Sequence, residues 1–286
     1  MKNKEEEART YAAPALEKGL DILEALSRAD APLTQKDIAQ QLGRSVGEIY
    51  RMLSCLVRRN YVAQRADTYD LTTKLFELAH QNPPTRRLLE AAPAVLERLA
   101  ERLDQACHLS VYGRACQIVI ARADPPSGLG FSMRVGAELD VLVSTTGRVL
   151  VAFQDPATRA ARIEESLRRR PEHADPRLDQ ILDGILARGF ETMPSNQLHG
   201  VLAVGFPILD GQGRAVAAIN VPYVERIDLT GHPMSEILAA AAQAAIDLTG
   251  KIGGTPPDFK LDAFGAVSGL RPSQLRFEQG AWVRAE

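Results

Sequence analysis

The stretch 34–60 constrains the fold most, because its pattern is that of two short helices separated by a tight turn. Thr34 can cap the first helix, and Gly43 is placed to end it. Ser45 then opens the second helix. The apolar residues of the first helix recur at helical spacing and are Ile38, Ala39 and Leu42. The stretch therefore predicts a helix-turn-helix.

The second helix separates an apolar face from a charged face when its residues are placed about 100° apart. The apolar face contains Val46, Ile49, Leu53, Leu56 and Val57. The charged face contains Arg44, Glu48, Arg51 and Arg58. In a helix-turn-helix, the early residues of the second helix contact base edges in the major groove of DNA. The charged face is thus a candidate DNA-reading surface.

Arg51 is the strongest single candidate on this surface, because its guanidinium can bind either a phosphate or guanine O6 and N7. Glu48 can accept a hydrogen bond from cytosine N4. The sequence leaves open which of these contacts is made. The predicted DNA-contacting residues are Thr34, Gln35, Arg44, Ser45, Gly47, Glu48, Tyr50, Arg51, Arg58 and Arg65.

Two short strand patterns after the second helix complete a wing. They cover residues 61–63 and 69–71, around a polar tip that carries Arg65. One arginine at such a tip suits a minor groove or a phosphate. The alternative is that the charged helix face is an ordinary solvated surface. The order of helix, turn, helix and wing favours DNA binding.

Net charge and cysteine content narrow the class of protein. The formal net charge is -2, so affinity for nucleic acid has to come from a local basic patch, which lies between Lys36 and Arg65. No apolar run of about 18 residues is present, and the start, MKNKEEEART, is too polar for a secretory signal. We expect a cytoplasmic protein with no membrane partner.

Three cysteines without Cys-x-x-Cys spacing predict reduced thiols and no metal or other cofactor.

The first part of the chain is predicted to be helical outside the wing. Residues 1–13 form a predicted flexible arm, and a helix from Pro14 to Ser27 follows. Its expected buried stripe is Leu16, Leu20, Ile22, Leu23 and Leu26. A short helix from Thr73 to His80 ends before an Asn-Pro-Pro sequence that marks a domain boundary. A linking helix is predicted from Thr85 to Asp104, with Pro93 interrupting or restarting it.

The second part of the chain changes from helical to strand periodicity. A predicted hairpin at 108–121 is followed by a third strand near Phe131 to Val135, and then by helices at 145–153, 156–169 and 176–188. Strands at 201–209 and 215–221 and a helix at 233–248 complete the pattern. This order predicts an α+β fold in which helices pack on a sheet. Residues 254–286 form a tail to which we assign no role.

Several segments together resemble the IclR family of bacterial transcriptional regulators. They are ALEKGLDILEAL, LTQKDIAQQLG, IYRMLSCL, STTGRVLVAF and GVLAVGFPILDGQGRAVAAINV. The resemblance implies a winged helix-turn-helix at 14–82, a linker and dimerisation helix at 83–104, and an effector-binding domain similar to GAF and PAS folds at 105–253. It further implies a dimer or tetramer that binds a near-palindromic operator in double-stranded DNA. The implied effector is a small organic acid, aromatic in some members.

Two segments depart from the family pattern. Gly47 and Glu48 stand where many members have Ser or Thr, so the detailed DNA contacts do not carry over. The acidic stretch before the penultimate strand is replaced by PSNQLH at 194–199, which predicts a less acidic mouth for the effector pocket.

The effector pocket is predicted at Ser144, Thr145, Thr146 and Gly147, where hydroxyls and a helix N-terminus can bind a carboxylate. The residues alone favour an ordinary Ser/Thr helix cap over a ligand site. The resemblance favours the ligand site, because the corresponding loop lines the effector pocket in the family. The resemblance adds Pro207, Asn220 and Pro222 on strands. Phe131 and Met133 are candidates for an apolar wall or for plain core, and His108 and Tyr112 either reach the ligand or have a structural role.

We predict that the protein is not an enzyme. One alternative is a constitutive DNA-binding dimer whose second domain takes no effector. Another is a GAF-like thiol redox enzyme that uses Cys107 and Cys116, which lie on opposite strands of the predicted hairpin. Such an enzyme needs an activated thiolate and a resolving partner, and no basic cluster surrounds either cysteine in the sequence.

Overall fold

A computed structural model describes residues 13–81, 83–228, 230–278 and 281–285. Except for Ala13, the predicted flexible arm at 1–13 lies outside the described residues. The chain divides into two compact units, Met1–Arg86 and Arg87–Glu286. Among the described residues, no helix is both long enough and apolar enough to cross a bilayer.

The first unit contains four helices and a three-stranded sheet among its described residues. The helices are α1 (Pro14–Ser27), α2 (Gln35–Gln41), α3 (Val46–Arg58) and α4 (Lys74–Gln81), and the strands are β1 (Leu33–Thr34), β2 (Val62–Arg65) and β3 (Thr68–Leu71). The strand order is β1-β3-β2, and both pairings are antiparallel. This arrangement is a winged helix-turn-helix, as the sequence predicted. The wing is tighter than expected, since β2 and β3 extend into the predicted tip.

The core of the first unit is small and is formed by α1, α2, α3 and the strands β2 and β3. Ile22, Ile38, Ile49 and Leu53 are almost completely buried. Leu16 and Leu20, which we expected in the buried stripe of α1, are 63% and 49% exposed. Leu20 precedes Ile22 by two residues and is therefore rotated about 200° from it on the helix.

Val46 is also more exposed than its apolar character predicted. It is 45% exposed in the first turn of α3, whereas the buried face of that helix runs through Ile49 and Leu53. The predicted apolar face is therefore correct in its middle and wrong at its first residue.

The second unit is built on a six-stranded sheet of order β6-β5-β4-β9-β8-β7, in which all neighbours are antiparallel. Its strands are β4 (Cys107–Gly113), β5 (Cys116–Ala123), β6 (Glu138–Asp140), β7 (Glu191–Pro194), β8 (Val201–Leu209) and β9 (Ala215–Val224). Its helices are α5 (Pro83–Leu103), α6 (Thr145–Ala152), α7 (Pro156–Arg169), α8 (Leu178–Arg188) and α9 (Met234–Lys251). The α+β class predicted from the sequence is confirmed.

Side chains alternate along β8 between two separate cores. Leu202, Val204, Phe206 and Ile208 belong to a core shared with α5 and α9. The opposite face of the sheet packs on α6 and α8. The two faces of the sheet therefore contact different helices. The space between the sheet and α6 is lined by the residues on the second face.

Helix α5 runs without a break through Pro93, contrary to the predicted interruption. Proline removes one backbone donor from a helix, and the freed carbonyl, that of Leu89, needs another partner. Pro93 is exposed, so water can reach this side of the helix. The opposite side of α5 is buried against the sheet and α9 through residues that include Leu96 and Leu99.

Two strands differ from those predicted. Residues 131–135 are not a strand, because the chain rejoins the sheet only after a turn at Gly136, whose φ is +83°. The third strand is instead β6, which pairs with β5. Strand β7 was not predicted, since its sequence Glu-Thr-Met-Pro is short and ends in proline.

The tail after α9 packs against the second unit. Phe259 contacts Phe206 edge to face, with 4.9 Å between ring centroids. A hairpin of β10 (Leu275–Glu278) and β11 (Ala281–Arg284) carries Trp282, whose Nε1 donates to Thr192 Oγ1 at 3.0 Å. The tail is therefore attached to both β8 and β7.

Candidate functional site

The start of α3 is fixed by a capping box between Ser45 and Glu48. The Ser45 hydroxyl accepts from the Glu48 backbone N–H at 3.3 Å, and the Glu48 carboxylate accepts from the Ser45 backbone N–H at 2.9 Å. Lys18 lies 3.3 Å from the same carboxylate. The hydrogen bonds from Ser45, helped by Lys18, lower the pKa of Glu48 to about 2. The Glu48 carboxylate is therefore already engaged in the cap of α3, and a cytosine donor would share it with Ser45 and Lys18.

Three more of the predicted DNA-contacting residues make contacts within the first unit. Thr34 caps α2 in a second capping box with Asp37. Gln35 donates to the Val46 carbonyl at 3.3 Å. Arg44 is paired with Asp21 at 2.9 Å. The contacts of Gln35 and Arg44 fix the position of α3 relative to α2 and α1.

The remaining predicted DNA-contacting residues are exposed. Gly47, Arg51 and Arg58 follow one another at helical spacing along the outer surface of α3. Tyr50 beside them is 58% exposed, and Arg65 is exposed at the end of β2. Among the residues that the structure describes, Arg51 has no hydrogen bond or ion pair. The outer surface of α3 therefore presents exposed side chains that are available for a contact.

The residues 43–47 also match the Gly-x-Ser-x-Gly pattern of serine hydrolases. In those enzymes the serine lies on a sharp turn from a strand into a helix, beside a histidine. Here Ser45 lies between two helices and donates to the Glu48 carboxylate at 2.9 Å. The match is explained by helix capping and does not indicate a nucleophile.

The second unit contains a cavity of about 110 Å³ between the sheet and the start of α6. Seven of the nine predicted effector-binding residues line it, and these are Phe131, Met133, Ser144, Thr145, Thr146, Asn220 and Pro222. Further lining residues are His108, Gln117, Leu139, Val143, Met193, Pro194, Ser195, Asn196, Gln197, Val201 and Ala203. The lining residues extend over more than 100 positions of the chain, from His108 to Pro222.

Gly147 and Pro207 are not among the lining residues. A Cβ on Gly147 would lie 2.4 Å from both the Val141 Cα and the Ser144 Oγ, so this glycine allows the chain before α6 to pack against the helix. Pro207 pairs with Ala218, which belongs to the core under α6 and α8. Both residues therefore support the cavity from positions outside it.

The first turn of α6 forms one wall of the cavity. The Ser144 hydroxyl accepts from the Gly147 backbone N–H at 3.2 Å and donates to the Asp140 carbonyl at 2.8 Å. Thr146 donates to Gln117 Oε1 at 2.5 Å. Residue 205 is a glycine, and a Cβ there would lie 2.9 Å from the Thr145 methyl group. The missing side chain lets the helix N-terminus, with its partial positive charge, lie directly on the sheet.

The cavity is lined by uncharged groups. No Asp, Glu, Lys or Arg is found among the lining residues. His108 is completely buried, and burial lowers its pKa to about 4, so the ring is neutral near pH 7. A bound anion would be stabilised by the backbone N–H groups at the start of α6, because the Ser144 and Thr146 hydroxyls already donate to the Asp140 carbonyl and to Gln117 Oε1.

Several lining residues were missed from the sequence. Val201 and Ala203 lie on the same face of β8 as Gly205, and strand alternation was a usable signal for them. The segment 194–197, which the sequence analysis placed at the mouth of the pocket without naming its residues as contacts, also lines the cavity. Tyr112 instead donates to Glu165 and lies under the Arg162 guanidinium, so it has the structural role that the sequence left open.

The two hairpin cysteines cannot act as a redox pair in this fold. Cys107 pairs with Ala123, whereas Cys116 pairs with Gly113 at the other end of the hairpin. At about 3.3 Å per residue they are roughly 20 Å apart, and a disulfide needs Cα atoms within about 7 Å. Burial also raises the pKa of the Cys107 thiol to about 12, which disfavours its reactive thiolate.

Comparison with known proteins assigns the chain to a family. Residues 15–66 match the IclR helix-turn-helix domain, and residues 84–249 match the domain described as "Bacterial transcriptional regulator IclR C-terminal". The chain belongs to the IclR family of transcriptional regulators, with a DNA-binding N-terminal domain and an effector-binding C-terminal domain. The resemblance found in the sequence is confirmed.

Individual relatives are similar over most of the chain. The Pca regulon regulatory protein of Pseudomonas putida is 24% identical over 249 residues, which cover 82% of this chain and 84% of that protein. The crystal structure of Pseudomonas aeruginosa HmgR is 24% identical, covers 84% of this chain and 99% of its own, and has a TM-score of 0.63. An IclR homolog from Microbacterium hydrocarbonoxydans, solved in complex with 4-hydroxybenzoate, is 18% identical, with coverages of 83% and 98% and a TM-score of 0.64. These structures share the fold of this chain.

Proposed function

We propose that the protein regulates transcription in response to a small organic acid that binds in the cavity at the start of α6. The acid alters the affinity of the protein for a near-palindromic operator in double-stranded DNA. The observation that carries the proposal is a cavity with an uncharged lining next to a helix N-terminus. Such a site stabilises a carboxylate through backbone N–H donors and the partial positive charge of the helix N-terminus. Because the target is chromosomal DNA, the protein acts in the cytoplasm.

The chemistry of the lining supports an acid with an apolar body. Phe131, Met133 and Leu139 supply apolar contacts, while Thr145 and Thr146 begin the first turn of α6, whose backbone N–H groups can bind the carboxylate. The complex of the Microbacterium relative with 4-hydroxybenzoate provides a precedent within the same fold. An aromatic or short aliphatic acid is therefore the first class of compound to test.

Operator binding is assigned to the exposed outer surface of α3 and to the wing. A homodimer places two such helices about one turn of DNA apart, near 34 Å, or at a multiple of that distance. This symmetry explains a near-palindromic operator. A homotetramer would extend the same principle to two operators. Helix α5 is the proposed dimerisation element. We also propose that it transmits conformational changes of the effector-binding domain to the DNA-binding domain.

The contacts of α5 support its proposed role in transmitting conformational changes. Its buried face shares a core with α9 and the sheet, and Arg98 on its surface lies 3.6 Å from Asp247 of α9. A change in the sheet on ligand binding can thus be transmitted to α5. The ligand alters operator affinity only if it binds the DNA-competent and incompetent states differently, and a coupling of about 1–3 kcal/mol is typical.

The proposal is tested with DNA fragments that the full-length protein selects from a random library. We expect a panel of aromatic and aliphatic carboxylic acids to contain compounds that raise the melting temperature and change operator affinity by about 5- to 150-fold. Thermal unfolding followed by circular dichroism and a footprinting titration give the two readouts. Stabilisation without any change in affinity or footprint would contradict the proposed regulation. A panel with no effect on either readout would favour constitutive DNA binding.

A further inference from the structure

The cavity at the start of α6 is smaller than an aromatic acid requires. Its volume is about 110 Å³. An apolar cavity that binds benzene in another protein has about 150 Å³, and a carboxylate adds to the volume of the ligand. Protein interiors are close-packed, so an aromatic acid enters only if part of the cavity wall moves outward. The part that moves determines which conformational change the acid causes.

Two loop segments are the least buried parts of the wall. Phe131 and Met133 belong to the loop after β5, and residues 194–197 follow β7. Most of the other lining residues are buried in strands or in the first turn of α6. We call residues 124–133 the cavity loop. Its residues 126–130 are exposed, so displacing it disturbs less packing than displacing a strand.

The cavity loop is attached to the residue that follows α5. Asp104 Oδ1 accepts a hydrogen bond from the Ser127 backbone N–H at 3.1 Å, and Asp104 Oδ2 lies 3.3 Å from Arg226 Nη1. A Cβ on Gly130 would lie 3.6 Å from the Ala106 backbone nitrogen, so the loop also approaches the chain just after Asp104. The carboxylate of Asp104 therefore joins the end of α5 to the cavity loop.

Exposed polar contacts hold the cavity loop in place. The Ser132 hydroxyl accepts from Arg122 Nη1 at 3.0 Å and donates to the Asp124 carboxylate at 3.2 Å. The Asp104 side chain, which holds the middle of the loop, is 30% exposed. Polar contacts of this kind are individually weak. A bound acid can therefore displace the loop at a small cost in free energy.

The backbone of Asp104 points to a role for its side chain. Its φ is +45°, in the left-handed region that favours glycine. The Gln105 backbone N–H donates to the Ala100 carbonyl at 3.3 Å, which is the way a glycine commonly ends a helix. Glycine would form this helix end without the strain of a Cβ. The carboxylate adds what glycine lacks, namely the contacts with Ser127 and Arg226.

We infer that Asp104 is a positioning residue for regulation, which holds the cavity loop to the end of α5 until an acid displaces the loop. Acid binding moves the loop outward, breaks the Asp104–Ser127 hydrogen bond and releases the end of α5. Because the two states differ in this contact, Asp104 and the acid shift the same equilibrium in opposite directions. This inference rests on the proposed function, since it takes the acid to bind in the cavity.

The variant that tests the inference is Asp104→Gly, which removes the carboxylate and keeps the left-handed helix end. Since the contact is already lost, the full-length variant is expected to bind benzoate or phenylacetate about 3- to 10-fold more tightly than the unaltered protein in calorimetry. Its operator affinity without acid should shift in the direction that the acid produces in the unaltered protein. A merely structural role would weaken acid binding instead.

Two further variants serve as controls. Asp104→Asn keeps an acceptor for the Ser127 N–H and tolerates a left-handed backbone, so its two affinities should lie closer to those of the unaltered protein. Arg114→Gly is the matched control for the glycine, because Arg114 also has a positive φ, +49°, in the turn at the other end of the β4–β5 hairpin. It should leave both affinities unchanged.

Hydrogen–deuterium exchange tests the displacement in the unaltered protein and decides the matter even if Asp104→Gly does not fold. Saturation with benzoate or phenylacetate should speed exchange in peptides that cover residues 125–130 and slow it at the first turn of α6. Faster exchange at 194–200 without a change at 125–130 would place the movement in the other loop and overturn the inference.

The remaining outcomes separate this inference from the proposed function. If the acids bind and change the operator affinity of the unaltered protein, but Asp104→Gly binds them equally or more weakly, the inference is wrong and the proposed function stands. Tighter acid binding without a shift in operator affinity also overturns it, because the loop would then only cover the cavity. If neither acid binds at millimolar concentration, the inference fails, and the proposed function depends on the other acids of the panel.

Discussion

Replacing Arg51 with alanine is expected to weaken operator binding by about 1–3 kcal/mol while leaving acid binding unchanged. Arg51 lies in the middle of the exposed stripe on α3 and has no intramolecular partner among the described residues. Its loss therefore removes a contact to DNA without exposing a buried group. A salt titration also distinguishes its two possible targets. Loss of a phosphate contact lowers the salt slope by about one, whereas loss of a guanine contact relaxes sequence preference at one position.

Arg28→Ala is the matched control for the change in charge. Arg28 is exposed at the end of α1, and its ion pair among the described residues is with Glu24, four residues earlier, so its loss should have little effect on operator affinity. If Arg51→Ala lost acid binding and cooperative unfolding along with operator binding, Arg51 would be a folding residue. If both variants weakened DNA binding equally, the effect would be one of net charge.

Gly147→Ala is expected to destabilise the second unit strongly and to abolish acid binding. The new Cβ would lie 2.4 Å from the Val141 Cα and 2.6 Å from its carbonyl oxygen, which are backbone atoms that cannot rotate away. Overpacking of this kind costs about 1–3 kcal/mol and occasionally more. Because the clash lies at the first turn of α6, relief of it displaces the Ser144 cap from the cavity wall. Urea denaturation and calorimetry measure the two effects.

The same substitution near the end of α9 is expected to act in the opposite direction. Gly250 is exposed, and a Cβ there would meet no atom within 4 Å. Gly250→Ala should therefore stabilise the protein by about 0.5–1 kcal/mol, since alanine loses less chain entropy than glycine in a helix. If both variants behaved alike, helix propensity would explain the result better than the contact with Val141.

The parts of the fold that local sequence determines were predicted well. The helix starts at Thr34 and Ser45 were predicted from the sequence, and each is fixed by a capping box that spans only four residues. The exposure of Leu20 was predicted incorrectly, because burial depends on which face of α1 meets its neighbours. Pro93 did not end its helix, because its exposed position leaves the freed carbonyl open to water.

The cavity was predicted only in part, because it depends on distant pairings. His108 and Asn220 are neighbours only because β4 pairs with β9, a register that no local pattern specifies. The hydroxyl-rich start of α6 was recognised because its residues are consecutive. Glu48 was predicted to contact a base, and the structure gives it a capping role that the sequence analysis did not assign.

The attachment of the tail to β7 provides a built-in optical reporter of cavity occupancy. The chain contains one tryptophan, Trp282, and its indole donates to Thr192, the neighbour of the cavity-lining Met193. Indole emission responds to hydrogen bonding and polarity, so an acid that displaces Met193 should shift the intrinsic fluorescence of the protein. Trp282→Phe should abolish the signal while leaving calorimetric affinity nearly unchanged. Residues beyond the family match, which ends at 249, would then allow effector binding to be followed without a label.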